Sequence, residues 1–508
     1  MIADSTSSPL SQKEDPYKKG FYFLSFCAFV FMLSYRLILA FYPTPNTGGA
    51  ENNIIYFVQR ILSGQTIYSD PSEAPYAIAQ YTPLYYYLLA ALAKLTATSP
   101  DDVLKLFVIN RITSLFLHLS LSFFAGLALK RLTKLDTNFA LVTGFLVFVF
   151  LQPSSRPDNL SILLWFCSLW FFVRSLDVEK FPRPGKHYWL SAIFGILAVL
   201  AKQSAITILL LIPGWLIFKR SYWQALYYLS IAAALGMMVM IMGSIFYDID
   251  IAFKNIVSGI DNGTSLSYYA SVFLGYYGEN IFLLAVAVVI GFLLWDRNDS
   301  FSRLLVWMMA GQFLLSNIFG LKVGSGTNYL MEWLVLVVIG TSLCAERLKE
   351  MLAIIRPRLA HILLSLAVIF YIVPAINSLY WYSRKANFKS SKQDFLEEKA
   401  VADYVNAGGS EDHYYVLTTV STPGSYLSNL CRERLLMPQS DIINTVYDRH
   451  VFDYSRLRTQ IENGEVRYIV TKQSSDTIHF LDFQLSNYSL DTTIRRYRVY
   501  VRKSKMKR

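Results

Sequence analysis

Repeated apolar runs, separated by short polar stretches, are the feature that most constrains how this 508-residue chain can fold. Many of them approach the roughly 20 residues that an α-helix needs to cross about 30 Å of hydrocarbon. Hydrophobic residues make up 54% of the chain and charged residues only 16%, which is too apolar for a soluble enzyme of this length. The sequence therefore predicts a polytopic α-helical membrane protein.

Basic residues decide the predicted topology, because cytoplasmic loops are enriched in lysine and arginine. The apolar segment 81–96, "YTPLYYYLLAALAKLT", has the composition either of a span or of a surface helix. Only if it does not cross do the later basic clusters fall on the side of the amino terminus. We therefore predict about eleven spans, a cytoplasmic amino terminus and a juxtamembrane helix at 81–96 on the outer face. The predicted spans are about 21–41, 104–129, 139–152, 159–176, 188–201, 204–218, 223–246, 280–295, 302–320, 329–344 and 359–378.

This topology divides the chain into three regions. Residues 1–20 are predicted to be a cytoplasmic tail, and residues 21–379 a transmembrane domain whose first outer loop is 42–103. Residues 380–508 are less apolar and predict a small extracytoplasmic α/β domain of roughly 120 residues, large enough for its own core. There, "FLEEKAVADYVNAGG" and "FDYSRLRTQIENGE" are typical of helices, and "YYVLTTV" and "VRYIVTK" are typical of strands.

The distribution of charge excludes several classes of function. The formal charge is +11, but the basic residues stand in small groups at the ends of apolar runs, which is the pattern of membrane orientation. The sequence has no glycine-rich phosphate loop, no His/Glu zinc motif and no cysteine pair at metal spacing. We therefore expect neither a nucleic-acid partner nor soluble nucleotide or zinc chemistry.

A few ionisable residues do not fit the orientation pattern, because they lie in outer loops, at outer ends of spans or inside spans. Charged groups in or near hydrocarbon are costly, so those that occur are candidates for function. One outward-facing polar cavity would bring most of them together. These residues are Glu51, Arg60, Arg111, Arg156, Asp158, Lys202, Lys254, Glu279, Lys322 and Glu332.

Glu51 lies in the first outer loop, after Gly48 and Gly49 and before Asn52 and Asn53. The glycines permit a tight backbone path, and the two amides can form hydrogen bonds. A carboxylate at the edge of a low-dielectric cleft can serve as a general base or a metal ligand. The alternative is a solvated loop acid or a helix cap.

The second outer turn, "QPSSRPDNLS", supplies Arg156 and Asp158. Pro157 ends the preceding helix, and Asp158 can be the N-cap or a first-turn residue of the next helix, which is a structural role. In the functional alternative, Arg156 binds a phosphate, and Asp158 binds a metal ion or orders the acceptor.

Two further polar breaks carry candidate residues. Lys202 and Gln203, in "VLAKQSAI", separate two apolar runs, and Lys202 is either a snorkelling residue or a phosphate ligand. The turn "GLKVGSGTNYLMEW" carries Lys322 and Asn328, with Glu332 in the next span. Its glycines allow backbone amides to approach an anion, and the alternative is a flexible loop beside a buried, hydrogen-bonded glutamate.

Arg111, in "FVINRITSLF", is either an internal ion-pair partner or a phosphate ligand. The aromatic residues that begin at Tyr81 are either an interfacial belt or a platform for a sugar. His118 lies deep in a span, and we interpret it as structural. The candidate substrate-binding residues are Tyr81, Gln203, Asn328 and Glu332.

These features together resemble the GT-C superfamily of integral-membrane glycosyltransferases. The similar features are Glu51 in a long first outer loop, "YTPLYYYLLAAL", the "NR" of Asn110 and Arg111, and "RPDN" in the second outer turn. "AKQSA" and the carboxy-terminal outer domain are similar to those of bacterial branches. Many relatives have Asp, or Asp-Glu, where this chain has Glu51 followed by Asn52.

The resemblance implies a hexosyl- or pentosyltransferase of the cell envelope, located in a bacterial inner membrane. It implies a polyprenyl-phosphate sugar donor, a lipid, glycan or protein acceptor on the outer (periplasmic) face, and inversion at the anomeric carbon. Such a reaction needs cations that hold the leaving phosphate, a base for the acceptor proton, and alignment. The expected phosphate ligands are Arg111, Arg156, Lys202 and Lys322. The expected catalytic residues are Glu51 and Asp158, which are also the candidate ligands of an optional Mg²⁺ or Mn²⁺ ion.

Two alternatives remain at this stage, a transporter or flippase of lipid-linked sugars and a structural or assembly subunit. A transporter is expected to have related halves and broken helices with charges at the membrane midplane. In this chain the unusual charges favour one face, and a sizeable outer domain closes the chain. These features favour the enzyme.

Overall fold

The computed structural model describes most of the chain and is dominated by long helices, as predicted. The predicted span 359–378, the first part of the predicted cytoplasmic tail, and Gly48 and Gly49 lie outside the described residues. Those residues are 16–43, 50–133, 136–176, 185–296, 299–353, 388–407, 416–418, 425–447, 449–463, 465–472 and 487–503.

Each of the other ten predicted spans coincides with a helix. Within the described residues, five helices are long and apolar enough to cross a membrane, and the bent pair 266–279 and 281–295 is a sixth candidate. The helical membrane architecture is thus confirmed, and the count of eleven spans stays a prediction. The helices of this region are α1 (Pro16–Phe41), α2 (Glu51–Leu62), α3 (Leu84–Leu95), α4 (Val103–Leu132), α5 (Thr137–Phe150), α6 (Asp158–Leu176), α7 (Lys186–Ala201), α8 (Ile206–Phe218), α9 (Tyr222–Phe246), α10 (Ile249–Ile256), α11 (Leu266–Tyr269), α12 (Gly275–Glu279), α13 (Ile281–Trp295), α14 (Ser300–Gly320) and α15 (Met331–Ala353).

The polar turns between apolar runs contain helix caps. Asp136, Asp248 and Asp299 accept hydrogen bonds from backbone amides at the starts of α5, α10 and α14. Such caps satisfy amide groups that have no partner inside the helix. Between α7 and α8 the backbone of Lys202 is extended, so the chain breaks there and places this lysine between two helix ends.

The loop predicted to lie on the outer face, residues 42–103, is largely helical where the structure describes it. It contains α2, which the sequence did not predict, and α3, which lies within the predicted helix 81–96. At 1.5 Å per residue, the 12 residues of α3 extend about 18 Å, which is short of a membrane span. The Tyr85 hydroxyl on α3 donates to Asn110 Oδ1 on α4 at 2.7 Å. This contact ties the loop to the transmembrane helices.

Residues 388–503 contain a four-stranded sheet in the order β1–β2–β4–β3. β1 is parallel to β2, and β4 is antiparallel to both β2 and β3. The predicted helices and strands of this region are found as α16, α19, β1 and β2, while the limits 380–508 of the domain stay a prediction. The elements are α16 (Phe388–Ala407), β1 (Val416–Thr418), α17 (Leu427–Cys431), α18 (Ser440–Tyr447), α19 (Ser455–Glu462), β2 (Tyr468–Lys472), β3 (Tyr488–Ile494) and β4 (Tyr497–Arg502).

The sheet region, residues 388–503, and the predicted outer loop, residues 42–103, share buried apolar clusters. Tyr76 and Ile78 of the loop are fully buried in one cluster with Leu417 of β1 and Ile443 of α18. Tyr426, which precedes α17, packs in the cluster that α2 and α3 form. The sheet region is therefore docked on the first outer loop, next to the residues predicted to carry function.

Candidate active site

A cavity of about 430 Å³ lies where α7 ends, α8 begins and α14 ends. Its walls come from stretches that are far apart in sequence, at 50, 80–81, 156, 202–206, 260–264 and 318–329. Arg156, Lys202 and Lys322 all line this space. Ile206 and Ile318, which are 43% and 50% exposed, are apolar parts of the same wall. The cavity thus combines a polar, cationic interior with an apolar edge.

Asp158 holds two of these cations in place. Its carboxylate Oδ1 accepts a hydrogen bond from Lys202 Nζ at 2.5 Å and another from Asn328 Nδ2 at 2.8 Å. The other oxygen, Oδ2, lies 3.3 Å from Arg156 Nε. Asp158 is buried and is also the first residue of α6. Its position at the start of a helix and its contacts with the cations of the cavity are therefore compatible with each other.

Aromatic side chains flank the two paired cations. Arg156 Nη2 donates to the Tyr81 hydroxyl at 3.0 Å, and Lys202 Nζ lies 4.4 Å from the centre of the Tyr329 ring. Ring faces attract cations and limit their side-chain freedom. Since Asp158 offsets one of the two charges, this pair leaves a net positive charge at the cavity wall.

Lys322 lies on the glycine-rich turn after α14. Burial lowers the pKa of its ammonium group to about 8, and repulsion from Lys202 adds to the effect. Gly324 has a left-handed φ of +83°, a conformation that favours glycine. A Cβ at Gly326 would lie 2.9 Å from the Asn328 side-chain oxygen. The glycines therefore allow the turn to pass close to the residues that line the cavity.

Glu51 is fully buried at the start of α2 and forms a bidentate ion pair with Arg111 of α4. Arg111 Nε and Nη2 donate to its two carboxylate oxygens at 2.8 Å and 2.9 Å. Arg111 Nη1 donates to the backbone oxygens of Leu39 and Tyr42 at 3.2 Å and 2.7 Å. The preceding residue, Ala50, lines the cavity, so this pair lies one residue away from the cavity wall.

The cavity brings together six of the ten predicted site residues. Asp158 lies behind its wall, Glu51 and Arg111 form the buried pair, and Glu332 is the second residue of α15 and does not line the cavity. Lys254, another unusual charge, forms a partly exposed ion pair with Asp70 instead. The six residues are Tyr81, Arg156, Lys202, Gln203, Lys322 and Asn328.

The two carboxylates proposed as metal ligands both lie against cations. Both oxygens of Glu51 are held by Arg111, and Asp158 faces Lys202, Asn328 and Arg156. The described residues also contain no cluster of three or more His, Cys, Asp or Glu side chains suited to a metal. A role for Mg²⁺ or Mn²⁺ stays a prediction.

Sequence analysis missed a second buried network, which begins at Arg36 inside α1. Arg36 Nη1 lies 3.1 Å from His118 Nδ1, and His118 Nε2 lies 2.7 Å from Asn159 Oδ1. Arg36 also donates to the backbone oxygens of Phe148, at 2.9 Å, and of Leu151. An arginine in the middle of an apolar run was the available signal. The network supports the structural interpretation of His118.

Comparison with known protein families and with curated protein sequences gave no match. Solved structures are similar. ArnT from Cupriavidus metallidurans, bound to undecaprenyl phosphate, superposes with a TM-score of 0.61 at 9% identity, over 94% of this chain and 98% of ArnT. The apo state of that protein gives a TM-score of 0.59 at 12% identity, over 95% and 98% of the two chains.

A second similar structure is the oligosaccharyltransferase of Archaeoglobus fulgidus in complex with zinc and sulfate. It superposes with a TM-score of 0.53 at 10% identity, over 88% of this chain and 68% of the oligosaccharyltransferase. Both ArnT, an aminoarabinose transferase, and the oligosaccharyltransferase are GT-C glycosyltransferases. This chain therefore has the fold of the GT-C membrane glycosyltransferases, as the resemblance of its sequence implied.

Proposed function

We propose that this protein is a glycosyltransferase that moves a sugar from a polyprenyl-phosphate donor to an acceptor on the outer face of a bacterial inner membrane. The observation that carries the proposal is the cavity, where Arg156, Lys202 and Lys322 line one space with exposed apolar residues at its wall. A lipid-linked phosphate offers matching chemistry, because it has an anionic group and an apolar tail. The undecaprenyl phosphate bound to ArnT, which has the same fold, supports this donor class.

In the proposed reaction, an acceptor oxygen forms a bond to the anomeric carbon of the donor sugar. The bond from that carbon to the phosphate oxygen breaks, and the phosphate leaves with the bonding electron pair. Arg156, Lys202 and Lys322 stabilise the leaving phosphate, since charge-assisted hydrogen bonds to anions are strong in a site sheltered from water. Attack from the face opposite the phosphate inverts the anomeric centre.

Glu51 is the proposed base for the acceptor proton, and Asp158 is the proposed positioning group for the cations. Asp158 is occupied by Lys202, Asn328 and Arg156, so its contribution is to orient these side chains. Glu51 is paired with Arg111 and lies one residue from the cavity wall. Accepting a proton requires the acceptor hydroxyl to reach one of its oxygens, each of which has a second lone pair beside the one that Arg111 uses. Arg111 therefore takes the ion-pair role in this proposal instead of binding phosphate.

The proposal is tested with purified protein in liposomes, given labelled polyprenyl-phosphate hexoses and pentoses and a panel of lipid, glycan and protein acceptors. Formation of a glycosidic bond is expected, and Arg156→Gln should raise the KM for the donor. Lys254→Gln is the matched control, because it removes a basic residue whose ion pair lies outside the cavity. Sugar movement across the bilayer without a new glycosidic bond would instead establish the transporter.

The outer-face location has its own test. A cysteine introduced at Ser99, just after α3, is expected to react with a membrane-impermeant thiol reagent added outside intact cells. The other thiols are replaced first, and a cysteine in the turn at Arg220 serves as the inside control. Labelling of the Ser99 position only after cell lysis would overturn the proposed topology.

A further inference from the structure

The first turn of α2 is tied to the outer sheet region by buried amide side chains. Asn429 Nδ2, on α17, donates to the backbone oxygen of Asn52 at 3.1 Å. Asn52 in turn donates through its own Nδ2 to the backbone oxygen of Ser425. Asn52 directly follows Glu51, so these contacts hold the turn of helix that carries the proposed base.

Asn429 also contacts α2 two turns further along, at Gln59. Asn429 Nδ2 donates to Gln59 Oε1 at 3.1 Å, and Gln59 Nε2 donates back to the Asn429 backbone oxygen at 3.0 Å. Both side chains are about 1% exposed. A buried amide that loses its hydrogen-bond partner still has the full cost of desolvation. A shift of α2 along α17 would break these hydrogen bonds, so the contact favours one register between the two helices.

The segment that bears Asn429 is itself anchored in the sheet region. Glu398 of α16 accepts hydrogen bonds from the Tyr426 backbone amide at 2.5 Å and from the Tyr497 hydroxyl at 2.6 Å. The Tyr426 ring packs edge-on against Phe107 of α4 and against Phe395 of α16, with ring centres 5.1 Å apart in both cases. Contacts therefore run without interruption from strand β4 to the first turn of α2.

Glu51 depends on this register because its side-chain partners belong to a different helix. Arg111 and Asn110, both on α4, hold its carboxylate, at 2.8 Å and 3.4 Å from Oε1. A displacement of α2 along its own axis would move Glu51 relative to α4 and to the cavity. Misplacement by about 1 Å can lower a catalysed rate about 100-fold.

We propose that Asn429 is a positioning residue for Glu51, through which the outer sheet region sets the geometry of the reaction centre. The inference rests on the proposed function, since it assigns a residue to that reaction. Asn429 is not part of the cavity lining, and its side chain contacts the Asn52 backbone and Gln59, so it acts through α2. Donor binding, which depends on the cations, should therefore not require it.

The test compares Asn429→Ala with the wild-type protein in the reconstituted transfer assay. The expected result is a fall in kcat of about 10- to 100-fold with an unchanged KM for the donor. Exchanging the two amides, in the double variant Asn429→Gln with Gln59→Asn, keeps the combined side-chain length and should recover activity above that of either single variant. If the alanine variant does not fold, Asn429→Asp is the second variant. It keeps the shape of the side chain but places a carboxylate, which cannot donate, against the Asn52 backbone oxygen and Gln59 Oε1. It should show the same selective loss of kcat.

Arg432→Gln is the matched control, because Arg432 also joins this segment to the first outer loop. It contacts Ser63 Oγ at 3.2 Å and Asp101 at 3.1 Å, away from Glu51. The control should retain the wild-type kcat. An unchanged kcat in the Asn429 variants, or an equal loss in Arg432→Gln, would overturn the inference.

Failure of the proposed function is distinguishable from failure of this inference. If the wild-type protein transfers no sugar, the function is wrong, and hydrogen exchange then tests the positioning role alone. Amides of α2 should exchange faster in Asn429→Ala than in the wild type and in Arg432→Gln. Equal exchange in all three proteins would overturn the role of Asn429 whatever the reaction is.

Discussion

Arg111 binds both carboxylate oxygens of Glu51, at 2.8 Å and 2.9 Å, although the two residues are 60 positions apart in the sequence and lie on different helices. The pair is buried, with side-chain exposures of 4% for Arg111 and 0% for Glu51. It therefore links the loop at 42–103 to helix α4 at the place where the proposed base lies. Loss of either partner leaves the other as a buried charge.

The first prediction concerns the geometry of this pair. Arg111→Lys keeps the positive charge but cannot donate two parallel hydrogen bonds, so it should cost about 1.5–3 kcal/mol of stability. Arg111→Met leaves the Glu51 carboxylate buried without its cation and should cost about 3–5 kcal/mol. Thermal unfolding of the detergent-solubilised variants checks this order. A methionine variant as stable as the lysine variant would contradict it.

The second prediction concerns Asp158 and Lys202. Asp158→Asn removes the charge that compensates the buried lysine, so the variant should lose about 3–5 kcal/mol of stability and lower kcat. Adding Lys202→Met should restore much of the stability, because the uncompensated ammonium is gone, while transfer stays low. Unfolding and transfer assays on the two variants separate the effects. Recovery of transfer in the double variant would show that Lys202 does not stabilise the leaving phosphate.

The third prediction is a pH dependence from Lys322, whose pKa is lowered to about 8 chiefly by burial. The ammonium form is populated below this pH and lost above it, and the donor phosphate binds the charged form. The value of kcat/KM for the donor reports the free enzyme, so it should fall as pH rises through about 8. In Lys322→Arg, which stays charged, this fall should disappear. The same profile in both proteins would contradict the assignment.

The fourth prediction concerns Glu398 in the outer sheet region. Burial raises the pKa of this carboxyl from 4.5 to about 7, so between these values the folded state binds more protons than the unfolded state. Stability should therefore fall as pH rises from 4.5 to 7. Glu398→Gln should reduce this dependence in thermal unfolding, whereas Glu462→Gln, on the exposed face of α19, should retain it. Equal pH profiles for the wild type and Glu398→Gln would contradict the prediction.

Much of the transmembrane region was predictable because one local property, apolar run length, determines where helices form. The charges that violate the orientation pattern were equally informative, since Arg156, Lys202 and Lys322 do line one cavity. Each of these residues could be identified as a functional candidate without knowledge of its neighbours, because a charge in or near hydrocarbon is costly.

The sequence was less informative where structure depends on tertiary partners. Helix α2 begins at Glu51 and is buried among elements that are distant in sequence, so its first turn looked like a loop. The β3–β4 hairpin was missed because its turn, Arg495–Arg496, lacks the glycine or asparagine that signals tight hairpins, although Arg495 adopts a left-handed φ of 53°. For Arg111 the sequence left two alternatives, an ion pair or a phosphate ligand, and did not identify Glu51 as the partner, because the pairing depends on how two distant helices pack.

The most direct test of the central claim is sugar transfer by reconstituted wild-type protein and by Glu51→Gln, measured with a labelled polyprenyl-phosphate donor. We expect glycosidic bond formation by the wild type. We also expect Glu51→Gln to bind the donor with the wild-type affinity but to lower kcat about 10²- to 10⁴-fold, the range typical of a lost general base. Wild-type transfer that persists in a folded Glu51→Gln variant would contradict the role of Glu51. Absence of any transfer by the wild type with every donor and acceptor would contradict the proposed function itself.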